Sequence, residues 1–423
     1  MAGEGGVMPV NQTCPENEEN PANKAGWVKV KLGDICSYDL GKTPKRDNPA
    51  YWKKEAGSVP WVKIADMSEH SVITETSEKI SELAFREVFR GQIVPAGTLL
   101  MSFKLTIGRV AYLGIPACHN EAIISIYPKE EVDKYYLGYF LSQVNYSGIF
   151  DRAVKGNTLN KKKIARIPVL LPPLSEQKQI SALLGTIEKA IALERRCEAS
   201  LTTIKRAALH VVFTKGLHNE AQRETPLGLV PESWETRELG LVCEYDRRNT
   251  GDITLPYLGM EQMESGTGRI TGKLFPTKTE SSSFLFNSQH VLFGRLRPYL
   301  QKVWLPDQEG RCSTEIFPIK PKSCLERRFL FYWLLRDEII RKINATCTGT
   351  RMPRANMNEV LRFPFPIPPL HEQQEIVDFL TTLDQKLEIH RRKRACLENI
   401  FRLFLYNLTR GTLRLTEFPE GCF

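Results

Sequence analysis

The sequence predicts an α+β protein: two mixed α/β globular domains separated by a pair of long antiparallel helices, a coiled coil, organised as a pseudo-two-fold internal repeat. Three observations predict it. A ten-residue segment, Leu171–Ile180, recurs at Ile367–Ile376 with six of ten residues identical. Each copy opens a proline-free run with apolar residues at helical spacing. The stretches before the copies instead hold short β-favouring runs punctuated by Gly and Pro.

The repeat extends well beyond its core. At a constant offset Leu184, Arg195, Arg196, Ala199, Leu201, Ile204, Arg206 and Leu209 meet Leu380, Arg391, Arg392, Ala395, Leu397, Ile400, Arg402 and Leu405. Upstream, Trp27, Leu32-Gly33 and Cys36 answer Trp234, Leu239-Gly240 and Cys243. Two copies of one unit follow from this.

Taken in order, residues 1–25 are rich in Gly, Asn, Pro and Glu without an apolar period, which predicts a disordered lead-in. Residues 26–170 form the first globular domain, with strand candidates Val59–Ile64, Gly97–Phe103, Val110–Leu113 and Ala122–Tyr127. Helix candidates there are Ser77–Arg90 and Val132–Asn145; the lack of regular alternation argues against a doubly wound sheet. Residues 171–218 hold the first long helix, opened by Ser175-Glu176, where serine caps and the carboxylate suits the helix dipole. Gly216 sits where the helix should stop. Nearly 40 residues at 1.5 Å each make a rod roughly 55–60 Å long, whose apolar stripe needs a partner.

Residues 219–366 form the second domain, entered by a linker at Pro226–Trp234. Its strand candidates are Leu255–Met260, Val291–Leu296, Gln301–Leu305 and Glu315–Ile319, with a helix at Arg328–Ile343. Residues 367–412 supply the second long helix and 413–423 a tail. The expected core of the helix pair is Ile180, Leu183, Ile187, Leu201 and Ile204 against Ile376, Leu380, Leu383, Leu387, Leu397, Ile400 and Phe404.

The chain carries a net charge of +9. Residues 1–24 are acidic and the helical segments nearly balanced, so most of the excess lies on the globular halves, which suits a polyanion such as DNA. Ten scattered cysteines without a Cys-x-x-Cys pair exclude a zinc site of standard spacing and a disulfide framework. No window approaches the ~20 apolar residues of a membrane span. No secretory signal opens the chain, so a cytoplasmic protein is expected.

Together these features resemble the specificity subunit of type I restriction–modification systems, from Trp27 to Leu415. The junction Pro-Pro-Leu-x-Glu-Gln occurs twice, as Pro172–Gln177 and Pro368–Gln373. Gly41-Lys42-Thr43-Pro44, Val59–Ile64, Gly97–Ser102, Gly228–Trp234 and Val291–Leu300 look like recurrent family segments. The resemblance implies a non-catalytic subunit whose two target-recognition domains bind a split, asymmetric double-stranded DNA target. It also implies helices that dock two modification (methyltransferase) subunits, with restriction subunits joining the full complex. S-adenosylmethionine, ATP and Mg are then expected on those partners and no cofactor on this chain. The rival readings are a stand-alone DNA methyltransferase or nuclease, and a coiled-coil adaptor with no DNA role.

Base readout needs bidentate donors, Arg or Lys for guanine and Asn or Gln for adenine, beside cations for phosphate. On that chemistry the first domain offers Lys42, Lys45, Arg46, Lys104, Arg109, Lys155, Asn157, Thr158, Asn160 and Lys161. The second offers Arg247, Arg248, Arg295, Arg297, Tyr299, Lys302, Arg351, Arg354 and Asn356. Sharper motifs fail. Asn48-Pro49-Ala50-Tyr51 is similar to an amino-methyltransferase motif, but no Gly-rich cofactor loop precedes it. Gly41-Lys42-Thr43 lacks the upstream glycine of a phosphate loop, and the seven histidines show no paired spacing. No catalytic or metal-ligating residue is assigned.

Overall fold

The residues repeated around each tryptophan build the same small frame twice in the computed structural model, which describes residues 26–52, 57–104, 106–146, 151–153, 156–158, 161–226, 228–278, 282–349 and 351–415. By compactness the chain divides into two units. One runs to Ala192 and resumes at Arg394; the other is Leu193–Lys393. Each unit therefore takes half of each long helix, Leu174–Lys215 and Leu370–Arg410.

In the first unit, strand Val28–Lys31 pairs antiparallel with Pro168–Leu171, and the short helix Leu32–Ile35 turns the chain into strand Cys36–Leu40. That strand edges a five-stranded sheet, continued by Ile123–Pro128, Leu99–Ser102, Val110–Leu113 and Ser71–Ile73. A three-stranded sheet of Glu78–Ile80, Val59–Val62 and Cys118–His119 accompanies it. The second unit repeats the plan: Glu235–Glu238 pairs with Pro364–Ile367, helix Leu239–Val242 follows, and a sheet runs Cys243–Tyr245, Ile316–Pro321, Val291–Gly294, Val303–Trp304. The repeat read from residue identities thus extends to the order of four sheet strands, while the companion sheets differ, with three strands in the first unit and five in the second.

Each repeated residue has a structural task. Cys36 and Cys243 donate their thiols to the carbonyls of Leu32 and Leu239, at 3.0 and 3.2 Å, and burial pushes both thiols up to about 12. A Cβ on Gly33 would come within 3.0 Å of Ala165, and one on Gly240 within 3.3 Å of Leu361. Trp27 Nε1 donates to Glu176 at 2.9 Å, and Trp234 Nε1 to Glu372 at 3.0 Å. Gln177 donates to Glu131 O and Pro172 O and accepts from Asp133 N. Gln373 does the same with Cys324 O, Pro368 O and Glu326 N. The Glu-Gln of the junction is a buried hydrogen-bond hub, and buried polar groups require such partners. The copies differ in one respect. Arg414 pairs with Glu176 at 2.7 Å, whereas among the described residues Glu372 has no ion pair, and burial raises its carboxyl.

Several expected elements change. The first long helix begins at Leu174, so Ser175 lies inside its first turn and does not cap it. Gly216 and Gly411 take positive φ after the two helices, as a C-terminal stop requires. Ser77–Arg90 is no single helix: Glu78–Ile80 is a strand, and Ser81 accepts from Ala84 N to start helix Glu82–Glu87. Val132–Asn145 shortens to Lys134–Ser142, capped by Asp133. Arg328–Ile343 breaks into Arg327–Leu334 and Asp337–Ala345, because Arg336 turns extended and Asp337-Glu338 open a fresh helix N-terminus. The linker at Pro226–Trp234 includes half of a hairpin, Gln222–Thr225 with Gly228–Pro231.

Inside each unit the helix halves run antiparallel. In the first, Ile180 and Leu184 share a core with Leu405 and Leu408; in the second, Leu209, Val212 and Phe213 share one with Ile376, Val377 and Leu380. Ile187 and Leu387 are also buried, while Leu183, Leu201, Leu383, Leu397 and Phe404 are half-buried. Ile204 and Ile400 are corrections, 51% and 37% exposed. A 3.5-residue stripe drifts about 20° per heptad on a straight helix. By the ninth turn and beyond, the inward position has moved from Ile204 to Lys205, from Ala208 to Leu209 and from Val211 to Val212. Lys205 is tolerated there because it pairs with Asp384, which also accepts from Tyr332 Oη at 2.8 Å. Three turns earlier Glu194 bonds Lys393 and His390, each at 2.6 Å, and these hydrogen bonds hold its carboxyl below the usual range.

The first unit also buries a proton-binding cluster. Glu188 accepts from Tyr139 Oη at 2.7 Å, and burial pushes its carboxyl up to about 7, with Glu69 adding to the rise. The folded state then holds a proton that the unfolded chain releases above about 4.5, so this contribution is full below that pH and lost as pH rises through 7. His70 acts oppositely: burial lowers it to about 4, so its contribution is full above 6.5 and lost as pH falls. Glu188→Gln should therefore raise unfolding stability at pH 8 by roughly 1–3 kcal/mol and change it little at pH 4.5. Denaturant titrations at the two pH values check this; equal gains at both would refute it.

Candidate nucleic-acid interface

In the second unit, strand Val291–Gly294 leads into Arg295-Leu296-Arg297, and this segment is stitched to Pro353–Ala355, which in turn bridges to Thr348. Arg297 N donates to Pro353 O at 2.8 Å, Ala355 N to Arg295 O at 2.9 Å, and antiparallel bridges join Arg354 to both Leu296 and Thr348. Glu315 holds the same two segments through side chains. Its carboxylate takes Arg354 Nε at 2.9 and 3.1 Å and lies 3.6 Å from Arg295 Nε, while its carbonyl accepts from Arg295 N. Beside them lies a cavity of about 410 Å³ lined by Arg247, Arg295, Arg354 and Asn358 over the rings of Tyr245 and Phe317. Arg247 stacks on Tyr245 at 4.7 Å.

Arg297, Tyr299 and Arg351 project from this base and are exposed. Arg297 adopts a left-handed backbone, φ 52° and ψ 61°, at the start of the turn Pro298–Leu300. Such a conformation is uncommon outside glycine.

Other expected contacts are already committed within the fold. Arg248 pairs with Asp246 at 2.7 Å, and Asp246 also meets buried His290. Lys302 Nζ donates to Met260 O, and Asn356 caps helix Met357–Val360 while its amide reaches Glu359. In the first unit Arg46 pairs with Glu78 and lies 3.9 Å over Trp52, and Arg109 donates to the carbonyls of Ile64 and Met67. These five expected DNA contacts, with Arg354, are also ties that shape loops. Lys42 donates to Val88 O at 2.8 Å at the mouth of a second cavity, of about 420 Å³, beside His119 and Tyr127. Lys45 and Lys161 are exposed, and half-buried Lys104 lies over Phe103. Asn157 and Thr158 belong to strand Gly156–Thr158, and Lys155 and Asn160 lie outside the described residues. Glu315 escaped sequence reading because nothing in a lone acidic residue before a strand shows which cations it will gather.

Asn48-Pro49-Ala50-Tyr51 opens the short helix Pro49–Trp52: Asn48 Oδ1 accepts from Ala50 N, and Tyr51 Oη donates to Glu87. His119 is buried and lowered to about 4, and burial pushes Cys118 up to about 12. Both are packing residues.

The type I restriction modification DNA specificity domain matches this chain twice, over residues 24–203 and 231–399. The chain belongs to the type I restriction–modification DNA specificity family. Within it, the chain is a DNA-recognition subunit and not an enzyme on its own. A putative type I restriction enzyme MjaX specificity subunit of Methanocaldococcus jannaschii is 26% identical, covering 92% of this chain and 94% of the relative. The EcoDI specificity subunit of Escherichia coli is 26% identical over 56% of this chain and 60% of its own length. The crystal structure of the type I system S subunit from M. genitalium aligns with a TM-score of 0.55 at 13% identity, covering 94% of this chain and 99% of the other. That likeness concerns the fold, and it agrees with the mixed α/β units and long helices described above.

Proposed function

We propose that the two units read two different halves of one bipartite, non-palindromic duplex target. The supporting observation is duplication with divergence: the main sheets of both units keep the same order over four strands, yet Lys104 follows Leu99–Ser102 in one and Arg295 follows Val291–Gly294 in the other. The long helices serve as the docking surface for two modification subunits, with restriction subunits joining through them. Leu193, Ile389 and Leu403, about 60% exposed on the outer faces of the helices, supply apolar contact area for that docking. S-adenosylmethionine, ATP and Mg²⁺ belong to those partners, where they supply methyl transfer and nucleotide-driven cleavage. The complex works in the cytoplasm; no helix among the described residues is long and apolar enough to cross a membrane.

Mapping methylated adenines in the host genome with and without this gene tests the reading. A single split motif should vanish with the gene. An unchanged methylation map would end the proposal.

A further inference from the structure

Resting on that reading, we propose that Glu315 is a positioning residue whose carboxylate locks two loops together so that Arg297 and Arg351 present their guanidinium groups to guanine-bearing base pairs of the second unit's half-site. The division of labour among the arginines carries the inference. Arg354 spends its Nε on Glu315, Arg295 Nε lies 3.6 Å from the same carboxylate, and Arg248 is spent on Asp246. Arg297 and Arg351 are exposed and make no side-chain hydrogen bond or ion pair among the described residues. They sit on segments that the backbone bonds Arg297 N to Pro353 O and Ala355 N to Arg295 O hold in fixed register. A guanidinium is the planar fork that matches guanine O6 and N7 in the major groove, and such a fork discriminates only if its base is rigid. The left-handed φ of Arg297 and the buried Pro298 after it supply that rigidity from the chain itself.

The test is selection of bound duplexes from a randomised library by the full chain and its variants, at two salt concentrations. Arg297→Lys and Arg351→Lys keep the charge but remove the fork. Each should lower guanine preference about tenfold or more at one position of one half-site and leave the other half-site and the salt response unchanged. Glu315→Gln should weaken both preferences together while the thermal midpoint stays within a few degrees, a pattern that a purely structural carboxylate would not give. If the wild-type chain shows a motif that Arg297→Lys and Arg351→Lys leave intact, the reading assignment is overturned alone. A Glu315→Gln chain with both preferences intact overturns the positioning role. A wild-type chain with no preference overturns this inference together with the split-target reading.

Discussion

Replacing Trp234 by alanine will destabilise the second unit by about 3–5 kcal/mol, the range for a fully buried aromatic. Trp234 is 1% exposed, stands edge-on to Phe213 and Phe329, and supplies the hydrogen bond that satisfies buried Glu372. Truncation therefore leaves a cavity and an orphaned carboxylate, and the second fault adds to the first. Trp234→Ala/Glu372→Leu should recover part of the loss by removing the orphan. Denaturant unfolding of both variants checks it. A loss under 1 kcal/mol for Trp234→Ala would show that the junction frame is not a keystone of the unit.

Raising salt from 50 to 200 mM will weaken duplex binding by roughly a thousand-fold or more if six or more phosphates are neutralised. The exposed cations Lys45, Lys161, Arg247, Arg297 and Arg351 are available for that role, whereas those tied to carboxylates are partly neutralised already. The slope of log affinity against log salt, measured by titration, counts the contacts. A flat response would remove backbone phosphate as the main source of affinity.

The frame was legible because its residues are repeated. Trp, Leu-Gly, Cys and Glu-Gln are each pinned by a contact that admits few replacements, and two copies under one constraint keep the same letters. The helix core was legible near each start, where Ile180 and Ile376 follow the junction directly, and drifted off by Ile204 and Ile400, where the stripe has turned outward. A periodicity search cannot assign Lys205 inward without knowing of Asp384, 179 residues away. The site suffered the same blindness. Arg248, Arg297 and Arg354 look alike in sequence, and only the carboxylates gathered around two of them distinguish a tie from a probe. Arg46 adds a further case, since its stacking on Trp52 depends on a turn the sequence leaves open.

The sharing of helices has a genetic corollary. Unit one is completed by the last stretch of the polypeptide, through Leu405, Leu408 and the Arg414–Glu176 pair. A premature stop codon shortly after position 393 would spare the module encoded beside it and cripple the one encoded at the opposite end of the gene.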